Sequence, residues 1–155
     1  MRSENLAVML TDMQGFTAAT ARQSRDENAR MMALHDALLA PVLRAFRGQR
    51  VKSIGDAYLV LFASPTRALL CGMAIQDRLW DYNRRAEPDR RIEVRIVVTL
   101  GEVTLVRSGR DKDVYGEAVN LASRVETLTK TYQTPVLLTQ HTLNSIRDPA
   151  DFSIR

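Results

Sequence analysis

At 155 residues the chain is long enough for one domain with a sizeable core and too short for two comfortable ones. Its 45% hydrophobic and 26% charged residues are ordinary for a soluble globular protein. The net charge of +4 suits an anionic ligand such as a nucleotide, but the arginines are scattered and the 6% of aromatics do not interleave with them, which argues against a nucleic-acid platform.

The N-terminal residues Met1 to Asn5 run at once into a strand and leave no room for a signal peptide. Leu6-Ala7-Val8-Met9-Leu10 is a continuous apolar run, read as a strand buried on both faces and central in its sheet. Asp12 stands at its end, followed by Gly15 and a helix start. An acidic residue before a free helix N-terminus is the layout of a phosphate or metal site. Ser24 and Glu27 form a capping box for a long helix with a core stripe of Met31, Leu34, Leu38, Val42 and Ala45, widened by Leu39, Leu43 and Phe46. Pro41 is expected to kink or split that helix, and Gly48 to close it. His35, beside the stripe with no second ligand in register, reads as a helix-edge residue.

Two apolar runs, Val51 to Ile54 and Ala57 to Phe62, meet at Gly55-Asp56, and Gly at the first central position is what a type II′ hairpin turn requires. Asp56 is then a carboxylate at the tip of a rigid hairpin. Ser64-Pro65 caps a helix reaching about Arg85 and marked by Leu69, Leu70, Met73, Leu79 and Trp80, its methionines read as core. Within it lies the single cysteine, Cys71, which rules out a disulfide framework and fits a reducing compartment. Ile92 to Leu100 and Glu102 to Val106 read as two strands divided at Gly101. Residues 107–112 form a polar turn, and Glu117 to Glu126 a helix buried through Val119, Ala122 and Val125. Asn120 and Arg124, four apart, share one side of that helix. Pro135 to Thr139 is a short strand, Gln140 to Arg147 a short helix, and Phe152 to Arg155 a strand beginning. The alternation predicts an α/β sandwich, one mixed sheet with helices packed against it. No run of about 18 apolar residues exists, so no membrane span is expected.

Three segments together carry a resemblance. Thr11-Asp12-Met13-Gln14-Gly15-Phe16-Thr17, Val51-Lys52-Ser53-Ile54-Gly55-Asp56, and Asp113 through Arg124 resemble the signatures of the class III nucleotidyl cyclase catalytic domain, in the right order and spacing. The resemblance covers about Leu6 to Arg155 and implies a single catalytic domain with a ferredoxin-like core. It implies a head-to-tail homodimer with active sites shared across the interface. Asp12 and Asp56 match the metal-binding carboxylates, which would hold two Mg²⁺ or Mn²⁺ ions with help from the Met13 carbonyl. Arg95 matches a triphosphate contact, and Phe16 and Thr17 fall among the substrate-binding positions. Lys52 and Asp113 match the pair that reads the purine from the other protomer. Asn120 matches the residue that orients the ribose, and Arg124 the one that steadies the α-phosphate.

The implied activity is adenylate cyclase, in which the ribose 3′-hydroxyl of ATP attacks the α-phosphorus and expels pyrophosphate. Adenine offers an acceptor at N1 and a donor at N6, which a Lys/Asp pair can meet; guanine reverses the pattern. The family usually continues into a hairpin with a Leu-Lys-Gly-like element whose lysine contacts the triphosphate, and the sequence stops at Arg155 before it. A cyclase-like domain that binds nucleotide or dimerises without turnover is therefore the alternative expectation. A cytoplasmic location, with regulatory domains outside this segment, completes the reading.

Overall fold

The computed structural model describes residues 2–14, 24–54, 56–132 and 135–146. Six strands form one sheet: β1 (Arg2–Met13), β2 (Gln49–Ile54), β3 (Ala57–Phe62), β4 (Val94–Ser108), β5 (Asp111–Tyr115) and β6 (Val136–Leu138). Among the described residues four α-helices accompany them: α1 (Arg25–Ala45), α2 (Pro65–Asn83), α3 (Glu117–Tyr132) and α4 (Gln140–Asn144). The strand order is β2-β3-β1-β4-β5, and β6 adds to β4 in parallel while every other pair is antiparallel. The mixed sheet with packed helices is therefore as expected.

The apolar run of β1 is central, between β3 and β4, and Ala7, Val8 and Met9 are wholly buried. Its alternation feeds two cores. Ala7, Met9 and Met13 face α1 and α2 together with Tyr58, Val60, Phe62, Ile96 and Val98. Val8 faces α3 with Leu59, Leu61, Val97, Val103 and Val114, against Ala118 and Ala122. Small residues on the buried side of α3 let the helix lie close to the sheet.

Several local expectations need correction. Helix α1 is one continuous helix through Pro41. Pro41 and Ala37 are both exposed, so the carbonyl that loses its donor can turn to water instead of breaking the helix. Its buried stripe is His35, Leu38, Leu39 and Leu43, and Ala45 is exposed. His35 is thus a core residue, not a helix-edge one. The helix is closed by Arg47 in the left-handed region (φ 59°), not by Gly48. Gly48 is needed for space: a Cβ there would lie 2.7 Å from the Phe62 ring. Leu70, Met73 and Trp80 of α2 are 42%, 41% and 69% exposed, so these apolar residues are not core, and Arg84 stacks over the Trp80 ring at 5.4 Å.

The two strands expected around Gly101 are one 15-residue strand, β4. Gly101 does not break it because it serves packing: a Cβ there would meet the Ala118 Cβ at 3.3 Å, so glycine admits α3. Strand β5, not expected from the sequence, begins with the last two residues of the expected polar turn and pairs with β4 from Ser108↔Asp111 to Thr104↔Tyr115. Gly116 then turns the chain into α3 at φ +140°, and a Cβ there would meet the Glu102 carbonyl oxygen at 2.5 Å. The expected hairpin turn at Gly55, the end of the last helix at Arg147 and the terminal strand at Phe152 fall outside the described residues.

Candidate active site

The first cluster is built by strand pairing. Thr11↔Tyr58 is a register pair of β1 and β3, so Asp12, one residue beyond, and Asp56, two residues before Tyr58, come to the same end of the sheet. Two hydrogen bonds fix the arrangement. The Met13 N–H donates to Asp56 Oδ2 at 3.2 Å, and the Tyr58 N–H donates to Thr11 Oγ1 at 3.2 Å. Burial raises the Asp56 carboxyl above the usual carboxylate range, and the charge of Asp12 raises it further. The two predicted carboxylates therefore converge from positions far apart in sequence.

An all-oxygen pair of this kind suits Mg²⁺ or Mn²⁺, which take one or two carboxylates and leave further positions to phosphate and water. No group of three or more His, Cys, Asp or Glu residues suited to a metal exists among the described residues. The donor set fits the ions that the resemblance implies.

Thr11 was not singled out by the sequence beyond its place in a motif, yet its fully buried hydroxyl ties the two carboxylate-bearing strands. Replacing it with valine keeps the shape and removes the acceptor. Thr11→Val is expected to cost about 1–3 kcal/mol, the usual penalty for stripping a buried hydrogen bond of one partner. A urea denaturation curve against the parent measures it. A second group supports the hairpin from α1. Tyr58 Oη donates to Asp36 Oδ1 at 2.6 Å, and Arg50 Nη1 donates to the same oxygen at 2.5 Å. Arg50 also lies 4.8 Å over the Tyr58 ring, and the buried His35 ring tilts against that ring at 4.8 Å. Burial and Asp36 push the Tyr58 phenol well up, so it stays a donor. Burial likewise lowers His35, favouring its neutral form, although Asp56 and Asp36 oppose this.

The second cluster joins the two ends of the strand order. Lys52 of β2 donates from Nζ to Asp113 Oδ1 of β5 at 3.1 Å. The Val114 N–H donates to the same oxygen at 2.8 Å, and Tyr115 Oη donates to Asp113 Oδ2 at 2.9 Å. Val114, then Lys52, then Tyr115 hold the Asp113 carboxyl below its usual range, so it is an ionised acceptor at neutral pH.

The remaining predicted residues divide. Arg95 pairs in register with Asp12, and its Nη1 is buried with no hydrogen-bond partner among the described residues. A cleft of about 650 Å³ opens beside it, bordered by Gln14, Gln76, Trp80, Asn83 and Pro135. A buried guanidinium N–H without an acceptor suits an anionic ligand. Asn120 and Arg124 are exposed on α3, and neither side chain makes a hydrogen bond or ion pair to a described residue. The chain thus assembles Asp12 with Asp56 and Lys52 with Asp113, and leaves Asn120 and Arg124 presented outward. Phe16 and Thr17 lie outside the described residues.

Comparison with known proteins adds independent findings. The family model for the adenylate and guanylate cyclase catalytic domain matches residues 1–155. The serine/threonine-protein kinase pkn2 of Myxococcus xanthus is 45% identical over 126 residues, covering 81% of this chain and 15% of that protein. An adenylate cyclase of Streptomyces coelicolor is 32% identical over 128 residues, covering 83% of this chain and 31% of that protein. The chain therefore spans between 15% and 31% of the length of these two relatives. In fold, a bacterial light-regulated adenylyl cyclase superposes with a TM-score of 0.84 at 20% identity, over 92% of this chain and 79% of that one. The guanylyl cyclase Cya2 superposes with a TM-score of 0.80 at 24% identity, over 95% and 80%.

Proposed function

This chain belongs to the family of adenylate and guanylate cyclase catalytic domains, and we propose that it makes 3′,5′-cyclic AMP and pyrophosphate from ATP. The observation that carries the reading is the convergence of Asp12 and Asp56 across the β1–β3 pairing. Those carboxylates, with the Met13 carbonyl, would hold two Mg²⁺ or Mn²⁺ ions. Bound there, such ions would supply the Lewis acidity that lowers the pKa of the ribose 3′-hydroxyl and the positive charge that offsets the leaving pyrophosphate.

The chain's own residues do the rest. Lys52 donates to adenine N1, and Asp113 accepts from the N6 amino group. Arg95 faces the triphosphate, with Phe16 and Thr17 at the substrate-binding turn. Asn120 orients the ribose so that the 3′-oxygen lies in line with the α-phosphorus. Arg124 meets the negative charge that grows on the non-bridging oxygens, where a fixed guanidinium helps most.

Arg124 and Asn120 are exposed with no partner among the described residues, which supports a homodimer in which each protomer completes the other's site. No described helix is long and apolar enough to cross a membrane. Substrate ATP and a buried free thiol at Cys71 fit a cytoplasmic setting. Regulatory domains joined to this segment fit the greater length of the relatives.

The test supplies ATP and GTP separately with Mn²⁺ and identifies products by mass. Cyclic AMP is expected, with kcat/KM for ATP at least about tenfold above that for GTP, because a fixed donor–acceptor pair is left mismatched by the reversed base. A preference for GTP overturns the base assignment, and no cyclic product from either nucleotide overturns the enzyme.

A further inference from the structure

We propose that Tyr115 is a specificity-determining positioning residue: its hydroxyl locks the Asp113 carboxylate in the orientation that accepts the adenine amino group. The proposal rests on the reading of Lys52 and Asp113 as the base-recognising pair.

A carboxylate offers about four lone-pair positions on its two oxygens. Asp113 Oδ1 takes two donors, the Lys52 ammonium at 3.1 Å and the Val114 N–H at 2.8 Å. Oδ2 takes Tyr115 Oη at 2.9 Å. Three donors leave one open position, and it belongs to Oδ2. That position matches the single N6–H that adenine turns toward the pocket. Guanine presents a carbonyl oxygen at the same edge, which would face the full negative charge of Oδ2.

Packing gives Tyr115 little reason to be there. It alternates along β5 with Val114, which is 3% exposed and faces the α3 core, so Tyr115 lies on the other face and is 57% exposed. Asp113 and Tyr115 are two apart on one strand and share that face, which brings the phenol back onto the carboxylate. Without the hydroxyl, Oδ2 loses its only donor among the described residues. The carboxylate plane is then held from one side, and its open position is free to swing away from the base. Phenylalanine fills the same space and removes only this hydrogen bond.

The test is Tyr115→Phe in the full protein. Binding of the non-cyclising probes 3′-deoxy-ATP and 3′-deoxy-GTP is measured by calorimetry with Mg²⁺, alongside kcat and KM for ATP and GTP. The ratio of ATP-type to GTP-type affinity is expected to fall about tenfold, the scale of one hydrogen bond to a charged group. The change should appear in KM for ATP, with kcat and melting temperature near those of the parent. An unchanged affinity ratio, or an equal loss for both nucleotides, overturns the role of Tyr115. A parent that binds the GTP-type probe more tightly removes the Lys52–Asp113 reading and this inference with it. A parent that binds the ATP-type probe selectively without turnover leaves the base pocket standing and refutes only the activity.

Discussion

Asp56→Asn is expected to lower turnover by at least about a thousandfold while leaving the protein folded and, without divalent cation, no less stable than the parent. The kinetic half follows from the donor set. Asp56 and Asp12 are the two converging carboxylates, and an amide is a far weaker ligand for Mg²⁺ or Mn²⁺ than a carboxylate. The stability half follows from charge. Burial and Asp12 raise the Asp56 carboxyl above its unfolded range, so the native state holds that proton more tightly than the unfolded chain does. The stability this contributes is present below the unfolded pKa and is lost as pH rises through the folded one. At neutral pH the ionised group therefore opposes folding. Asparagine removes the charge and keeps an oxygen for the Met13 N–H. Melting curves with and without Mn²⁺ check both halves: the ion should raise the parent's Tm and leave that of Asp56→Asn unmoved. A variant that still responds to Mn²⁺ contradicts the ligand role.

The carboxylates were legible because each punctuates a strong pattern. Asp12 ends an apolar run, and Asp56 follows a glycine between two others. Their meeting depends on the Thr11↔Tyr58 register, a pairing 47 residues apart that no local periodicity contains. Strand β5 was illegible for a related reason. Asp111-Lys112-Asp113-Val114-Tyr115 has one buried residue, Val114, and a single apolar position shows no alternation. The support of Asp113 by Tyr115 went unread with it. The division of β4 at Gly101 took the glycine for a local breaker when its role is set by a helix 17 residues away, at Ala118. His35 was misplaced because the apolar stripe of α1 is wide enough to set the helix at more than one rotation. Contact with Tyr58 selects the one that buries His35 and exposes Ala45.

Arg124→Ala is expected to lower kcat by about a hundredfold or more, the cost of removing one fixed donor from the charge that develops in the transition state. Its Tm should stay within experimental error of the parent, because an exposed side chain with no partner among the described residues adds little to the fold. That combination separates a residue used across an interface from one used within its own protomer. Arg124→Ala and Asp56→Asn each disable both sites of their own homodimer. A mixed dimer keeps one site intact, with carboxylates from the Arg124→Ala protomer and the arginine from the Asp56→Asn protomer. Random exchange makes half the dimers mixed, so an equimolar mixture should recover about a quarter of parent activity. Size-exclusion chromatography of differently tagged protomers establishes that mixed dimers form. If they form and activity stays at the level of the separate variants, the carboxylates and Arg124 do not serve one site from opposite protomers.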